Sequence, residues 1–286
     1  MKLGVVSLSI GFLEIPEAVR FIKEIGGDTF ELSTAEGVHR GSLDFTESGR
    51  HSLANLVQSE GLSITSVAGY SDFTLSDSEF VREQLEGLER YAELAQSLGV
   101  KFVRVMGGNA KPELSKPEMV SNIIAGFKQA VQIAEKYDVI FALENHGTLV
   151  NDGPTLVKII EQVNSPYLRL TMDTGNFCWA GNSLEDAYDY FAQVSPYVVN
   201  VHLKDFVYEN DEVQFVPLGE GLIDFKKVFN MLGKVDYQGS ILCEYEGVGD
   251  PRVLMQDGTF YRDEVMDQVK NATKSSLEFL RSITEG

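Results

Sequence analysis

The sequence alternates short apolar runs with longer amphipathic stretches, and this alternation repeats eight times. Residues 63–70 (SITSVAGY), for example, have the length and composition of a strand, and residues 78–99 carry an apolar stripe at helical spacing. Strands and helices in regular alternation are typical of parallel sheets covered by helices. Eight such units in 286 residues predict an α/β fold, a (β/α)8 TIM barrel, which we expect to form a single domain over residues 1–286.

The predicted elements follow one another along the whole chain. The strands cover residues 2–8, 28–33, 63–70, 101–108, 139–147, 168–177, 198–206 and 239–247. The helices cover residues 16–26, 48–61, 78–99, 116–138, 153–163, 183–195, 224–235 and 262–283. An open doubly wound sheet is the alternative, but it should carry a glycine-rich phosphate turn after the first strand. Residues 8–17 (LSIGFLEIPE) contain one glycine there, which favours the barrel.

Charge and cysteine content restrict the class of function. Lys and Arg number 24 against 43 Asp and Glu, and the resulting net charge of −19 disfavours nucleic acid and anionic membranes as partners. An acidic surface that keeps a protein in solution explains the same charge. The two cysteines, Cys178 and Cys243, are far apart, which fits a reducing compartment better than a disulfide framework. We therefore expect a cytoplasmic protein without a signal peptide or a transmembrane helix.

Strong metal ligands stand at the carboxyl ends of four predicted strands in the second half of the chain. They are Glu144, Asp173, His202 and Glu244. In a TIM barrel these strand ends form the active face, and the alternation of side chains along a strand allows all four to point inward. Three carboxylates and one imidazole would then surround one hard or borderline divalent cation.

Each of these four residues also has an explanation that needs no metal. The alternatives are a helix cap for Asp173, an ion pair with Arg104 for Glu144, a hydrogen-bonded core position for His202 and a solvent-facing position for Glu244. Four buried ionisable groups would then need four separate partners, because an unpaired buried charge is costly. One shared cation satisfies all four and is the favoured interpretation.

Several motifs resemble the xylose isomerase-like TIM-barrel superfamily, the sugar phosphate isomerase/epimerase group, over essentially the whole chain. The motifs are ENHG (144–147), DTGN (173–176), VHLKD (201–205), PLGEGLIDF (217–225) and EYEG (244–247). In that family a Glu, an Asp, a His and a second Glu bind a divalent metal, which implies Glu144, Asp173, His202 and Glu244 as the ligands here. The family's ketose 3-epimerases also use the two glutamates to move protons, which implies catalytic roles for Glu144 and Glu244.

The sequence differs from the ketose 3-epimerases at two places. Those enzymes have D-x-x-H after the sixth strand, where this chain has Asn176, and they tend to carry an arginine shortly after the metal-binding histidine. Residues 202–210 (HLKDFVYEN) contain no arginine. Endonuclease IV shares the barrel, but its trinuclear zinc site needs more histidines than the four in this chain. The two differences from the ketose 3-epimerases do not affect the implied ligand set.

The ligand set implies chemistry on a small sugar or keto-sugar. A bound Mn²⁺, Mg²⁺, Co²⁺ or Zn²⁺ would grip a carbonyl and a neighbouring hydroxyl, and a glutamate would remove the proton α to the carbonyl to give an enediolate. We expect an isomerase or epimerase. A lyase, such as an inosose dehydratase or an enzyme eliminating from a 3-keto sugar, and a non-catalytic sugar-binding barrel are the alternatives. Relatives often form dimers or tetramers, so a homo-oligomer is also open.

Five further side chains are predicted to contact the substrate. They are His146, Asn176, Lys204, Arg104 and Glu246. His146 and Lys204 share the inward face of their strands with the ligands, although both could be plain rim residues. Arg104 and Glu31 could grip sugar hydroxyls or pair inside the barrel, and pairing is favoured. Asn145 faces the other way and is expected to be structural.

Aromatic and basic residues in two loops raise weaker hypotheses. Phe177 and Trp179 could form a wall against a sugar ring, although aromatic residues at such positions more often pack in the core. The segment 247–264 is long for a loop that follows a strand, and long loops are often functional. It could cover the site, with Arg252 or Arg262 reaching an anionic group of the substrate.

Overall fold

The computed structural model describes residues 1–284, and its main sheet is a closed parallel barrel of eight strands, which confirms the predicted fold class. The strands of the protein are β1 (Leu3–Val6), β2 (Thr29–Ser33), β3 (Ser63–Ala68), β4 (Phe102–Val105), β5 (Ile140–Glu144), β6 (Leu168–Asp173), β7 (Val198–Leu203), β8 (Asp205–Glu209), β9 (Glu212–Val216) and β10 (Ile241–Cys243). The order around the barrel is β1-β10-β7-β6-β5-β4-β3-β2, and β8 and β9 form a separate two-stranded sheet.

Helices alternate with the barrel strands. They are α1 (Ile15–Glu24), α2 (Glu47–Ser59), α3 (Ser78–Ser97), α4 (Lys116–Lys136), α5 (Gly153–Val163), α6 (Asn176–Trp179), α7 (Leu184–Val194), α8 (Phe225–Lys234), α9 (Pro251–Gln256) and α10 (Asp263–Thr284). Among residues 1–284, no helix combines the length and the apolar character needed to cross a membrane.

Contacts are concentrated in two compact units. The first contains Met1–Thr65, His202–Lys226 and the chain from Gln238 onward. Its central strand β1 pairs in parallel with β2 and β10, so that Val5 lies between Phe30 on one side and Cys243 on the other. All three side chains are buried, as expected for a parallel strand that is covered on both faces.

The second unit contains Ser66–Val201 and Lys227–Tyr237. Strand β4 pairs in parallel with β3 and β5, and β5 pairs in turn with β6. Val103 on β4 lies between Val67 and Phe141, and all three are buried. Because neighbouring parallel strands run in the same direction, the carboxyl ends of these four strands lie at one edge.

Two predicted segments differ from the observed structure. No element is predicted for residues 207–223, but β8 and β9 form an antiparallel hairpin there. Asn210 and Asp211 at its turn have φ values of 51° and 64°, which is the turn chemistry that closes a tight hairpin. The expected loop 247–264 contains helix α9 and a 3-10 turn, Thr259–Tyr261.

His39 is a fully buried histidine in the segment that follows β2, and its ring contacts the segment that follows β1. Its ring nitrogens lie 3.0 Å from the Ser7 hydroxyl and 3.0 Å from the Leu13 carbonyl oxygen. Burial lowers the pKa of His39 from 6.5 to about 4, and the hydrogen bond to Leu13 opposes this shift. The folded protein therefore holds His39 neutral at a pH where the unfolded chain would protonate it.

This difference predicts an acid-sensitive contribution to stability. Between pH 6.5 and about pH 4 the unfolded state binds the additional proton, so the free energy of unfolding falls as the pH falls, by about 3 kcal/mol in total. We expect His39→Asn, which tolerates the residue's φ of 54°, to reduce this loss in urea unfolding at pH 7 and pH 4. His51→Asn changes an exposed histidine and should behave as the wild type; an equal pH dependence in all three proteins would contradict the prediction.

Candidate metal centre

Four ionisable side chains stand at the carboxyl ends of consecutive barrel strands. Glu144 and Asp173 end β5 and β6, His202 is the penultimate residue of β7, and Glu244 directly follows β10. Each offers one ligand atom, and these atoms all lie within 4.8 Å of one another. All four residues are buried. The four ligands proposed from the sequence are therefore brought together.

Glu144 is held by a buried arginine on the neighbouring strand. Arg104 Nη1 donates to Glu144 Oε2 at 3.0 Å, and each side chain is 3% exposed. The Arg104 guanidinium also lies over the Tyr70 ring, 5.5 Å from its centroid. The ion pair between Arg104 and Glu144 thus forms, and Glu144 also belongs to the cluster. The two interpretations of Glu144, ion-pair partner and member of the cluster, are therefore compatible.

Asp173 combines two roles that the sequence presented as alternatives. Its Oδ1 accepts hydrogen bonds from the backbone N–H groups of Gly175 and Asn176, both at 2.9 Å. These bonds end the strand at Asp173, where the sequence predicted a continuation to residue 177, and they turn the chain into α6. Asp173 is nevertheless fully buried within the cluster.

An asparagine network joins the ends of β5 and β6. Asn145 donates to the Asp173 carbonyl at 2.9 Å, and its Oδ1 accepts the Asp173 N–H at 2.7 Å. Asn151 donates to the Asn176 carbonyl at 2.8 Å and contacts Asn145 at 3.2 Å. Sequence reasoning left Asn151 unnoticed, because no motif marks a residue that bonds only to backbone and to another amide.

Histidine 202 lies between two carboxylates. Its Nε2 is 3.2 Å from Glu31 Oε2, and its Nδ1 is 3.4 Å from Glu244 Oε2. The side chains of His202 and Glu31 are 1% and 0% exposed. Glu31 therefore contacts a member of the cluster, whereas the sequence favoured pairing inside the barrel over contact with sugar hydroxyls but did not identify this partner.

Lys204 contacts both glutamate carboxylates that follow β10. Its Nζ is 2.6 Å from Glu246 Oε2 and 3.4 Å from Glu244 Oε2, and the side chain is only 3% exposed. The ammonium group also lies 5.3 Å from the centroid of the Phe215 ring. Burial raises the pKa of Glu246, and the charge of Lys204 opposes this shift. Lys204 and Glu246 thus form a partly buried ion pair next to Glu244, with side chains 3% and 17% exposed.

Asp205 anchors the glycine-containing loop that follows the hairpin. Its carboxylate accepts four backbone N–H groups, from Phe206, Gly219 and Gly221 at 2.9 Å and from Ile223 at 3.1 Å. A Cβ atom on Gly221 would overlap with this carboxylate, so the close approach requires glycine. Burial raises the pKa of Asp205, and the four N–H donors oppose this effect.

Replacing Asp205 should be strongly destabilising. Asp205→Ala leaves four backbone donors without their acceptor, and we expect the free energy of unfolding to fall by about 3–5 kcal/mol. Asp267→Ala removes an exposed carboxylate from α10 and serves as the matched control. Chemical denaturation of the three proteins measures the difference; a loss for Asp205→Ala no larger than that of the control would contradict the anchoring role.

The aromatic and basic residues that the sequence suggested as substrate contacts differ in burial and in their partners. Phe177 is fully buried and packs against Phe191, with ring centroids 5.3 Å apart, so the structure contradicts its place in an aromatic wall. Trp179 is 48% exposed and lies 6.5 Å from the His146 ring. Arg252 binds its neighbour Asp250 through both Nε and Nη2.

The donor set fits a divalent cation. Three buried carboxylates whose ligand atoms lie within 4.8 Å of one another and of an imidazole nitrogen would repel one another in a low-dielectric site without a compensating charge. Arg104 and Lys204 each contact one of these carboxylates, that of Glu144 and that of Glu244. Oxygen-rich sets with one histidine suit Mg²⁺, Mn²⁺ and related ions, and the same ligands are accepted by Zn²⁺.

A closed barrel with this cluster at its strand ends defines the class as a TIM barrel with a candidate metal centre. The chain belongs to the xylose isomerase-like TIM barrel family, whose model matches residues 19–283. The match covers all four residues of the cluster as well as Arg104 and Lys204.

Individual relatives are sugar epimerases or share the fold. The chain is 28% identical over 237 residues to L-ribulose-5-phosphate 3-epimerase UlaE of Shigella boydii serotype 18, a match that covers 80% of this chain and 81% of the relative. The structure of the IOLI protein with a bound zinc atom superposes with a TM-score of 0.79 at 17% identity, covering 100% and 98% of the two chains. D-psicose 3-epimerase from Clostridium cellulolyticum H10, solved with D-tagatose, gives 0.77 at 15% identity and covers 99% of each chain.

Proposed function

We propose that this protein is a divalent-metal-dependent isomerase or epimerase of a sugar or keto-sugar. The observation that carries the proposal is the convergence of Glu144, Asp173, His202 and Glu244 at the carboxyl ends of four strands, the location of active sites in TIM barrels. The relatives that are 3-epimerases by name favour epimerisation over migration of the carbonyl.

The same four residues would hold one ion, Mn²⁺, Mg²⁺, Co²⁺ or Zn²⁺. When bound, such an ion would supply Lewis acidity toward a carbonyl and an adjacent hydroxyl group of the substrate. Arg104 lies 3.0 Å from the carboxylate of Glu144, and Lys204 lies 3.4 Å from that of Glu244. These contacts keep the two glutamates in position for a second task besides holding the ion.

That second task is proton transfer. One glutamate carboxylate removes the proton from the carbon α to the substrate carbonyl. The electron pair of the broken C–H bond forms a C=C bond, and the π pair of the carbonyl moves onto its oxygen to give an enediolate. The other glutamate delivers a proton to the opposite face of the same carbon, and the C=O bond re-forms. The product is an epimer, and exchange of protons with solvent restores both carboxyl groups.

The remaining predicted contacts are assigned to substrate orientation. His146 and the half-exposed Trp179 offer an imidazole and an aromatic face close to one another, which suits the polar and apolar surfaces of a sugar. Asn176 directly follows the turn closed by Asp173. Lys204 and Glu246, as a partly buried ion pair, present hydrogen-bonding groups to a hydroxyl of the substrate.

The test is a panel of ketoses, inososes and 3-keto sugars incubated with the protein and Mn²⁺ in D₂O. We expect at least one compound to gain one deuterium next to its carbonyl and to yield its epimer, as followed by mass spectrometry and NMR. A substrate that loses one water instead would replace the proposal with a dehydratase. Binding of a sugar without any exchange would replace it with a non-catalytic barrel.

A further inference from the structure

The carboxylate of Glu31 is buried at a place where the proposed proton transfer does not use it. Glu31 lies on β2, its side chain is 0% exposed, and its Oε2 is 3.2 Å from His202 Nε2. Removing a carboxylate from water is unfavourable unless a donor or a cation compensates for it. The His202 ring supplies such a donor when its Nε2 carries the proton.

The two ring nitrogens of His202 face two different carboxylates, only one of which belongs to the four-residue cluster. Nδ1 is 3.4 Å from Glu244, which belongs to the four-residue cluster, whereas Nε2 faces Glu31, which does not. A neutral imidazole has one N–H group and one lone pair. A cation shared with Glu244 would be bound through the lone pair of Nδ1, so the proton must then reside on Nε2.

The opposite tautomer is disfavoured by the same geometry. With the proton on Nδ1, the lone pair of Nε2 would point at the buried Glu31 carboxylate across 3.2 Å. Two acceptors at that distance repel each other, and the low dielectric of a buried site strengthens the repulsion. Glu31 therefore selects the tautomer that leaves Nδ1 available.

We infer that Glu31 is a positioning residue for the metal centre: its carboxylate accepts the Nε2–H of His202 and fixes the ring so that Nδ1 binds the cation. The inference rests on the metal requirement of the proposed function. Carboxylates that accept the distal N–H of a ligating histidine orient the ring and raise its basicity in many metal sites.

The experiment compares Zn²⁺ binding by the wild type, Glu31→Gln and Glu31→Leu. Calorimetric titration of metal-free protein should show about 10- to 100-fold weaker binding for Glu31→Leu. Glu31→Gln should lie between the two, because the amide oxygen still accepts from Nε2–H. Glu47→Gln removes one exposed negative charge on α2 and should bind as the wild type does.

A spectroscopic measurement separates positioning from a general effect on folding. Two-bond ¹H–¹⁵N correlation spectra of the Zn²⁺-loaded wild type should show His202 protonated on Nε2 and metal-bound through Nδ1. The signal is assigned by its loss in His202→Gln, and this readout does not depend on whether the Glu31 variants fold.

The outcomes are distinct. Zn²⁺ bound through Nε2, or folded Glu31→Leu with wild-type affinity, would overturn the role of Glu31 and leave the proposed function standing. Failure of the wild type itself to bind Zn²⁺, Mn²⁺ or Mg²⁺ would overturn the metal-dependent function and this inference with it.

Discussion

Glu144→Gln and Glu244→Gln are each expected to lower the rate of epimerisation about a thousand-fold. Glutamine keeps the size of the side chain and one oxygen, but it cannot take up a proton from carbon near neutral pH. Because both glutamates are buried and hold a cationic neighbour, Arg104 or Lys204, some of the loss will also reflect weaker placement of that neighbour. Steady-state kinetics at saturating metal measure the effect.

Solvent exchange distinguishes the two glutamates. If each carboxylate serves one face of the substrate, each variant should retain deuterium exchange from one epimer and lose it from the other. Glu83→Gln, which changes an exposed residue of α3, should behave as the wild type in both assays. Variants of residues 144 and 244 that both keep full turnover would exclude these side chains from proton transfer.

Removal of the metal should abolish turnover and lower stability together. The metal-free cluster contains three buried carboxylates within 4.8 Å of one another and of His202, so a bound dication relieves their mutual repulsion. At a free metal concentration about 1,000 times Kd, the free energy of unfolding should rise by about 4 kcal/mol over that of chelated protein. Activity and the melting temperature should recover together as metal is added back.

Asp173→Asn tests whether the rise in stability depends on metal bound at this cluster. The variant loses one ligand charge, and we expect its metal-dependent rise in melting temperature to be reduced at the same metal concentration. Asp189→Asn removes an exposed carboxylate from α7 and should keep the full response. An unchanged melting temperature of the wild type with and without Mn²⁺, Mg²⁺, Co²⁺ or Zn²⁺ would contradict the presence of a metal centre.

Much of the fold was predictable because it depends on local periodicity. The helix predicted for residues 153–163 coincides with α5, Gly153–Val163, since its start and end are marked by Asp152 and Asn164. Strand ends were less predictable. Asp173 ends β6 by accepting hydrogen bonds from the next turn, and the pattern of apolar residues does not indicate such bonds. The hairpin β8–β9 was missed although Asn210 and Asp211 carried its turn signal.

The sequence by itself determined the barrel and the end of it at which chemistry is to be sought. Apolar periodicity specifies the strands and helices, and parallel strands necessarily present their carboxyl ends at one face, where Glu144, Asp173, His202 and Glu244 stand. Only the tertiary structure decided which groups hold them: Arg104 pairs with Glu144 across 40 positions, and Glu31 meets His202 across 171. Alternation along a strand predicts which side chains point inward, but which of them meet depends on the order of the strands around the closed barrel and on the rotamers adopted there, and local sequence encodes neither.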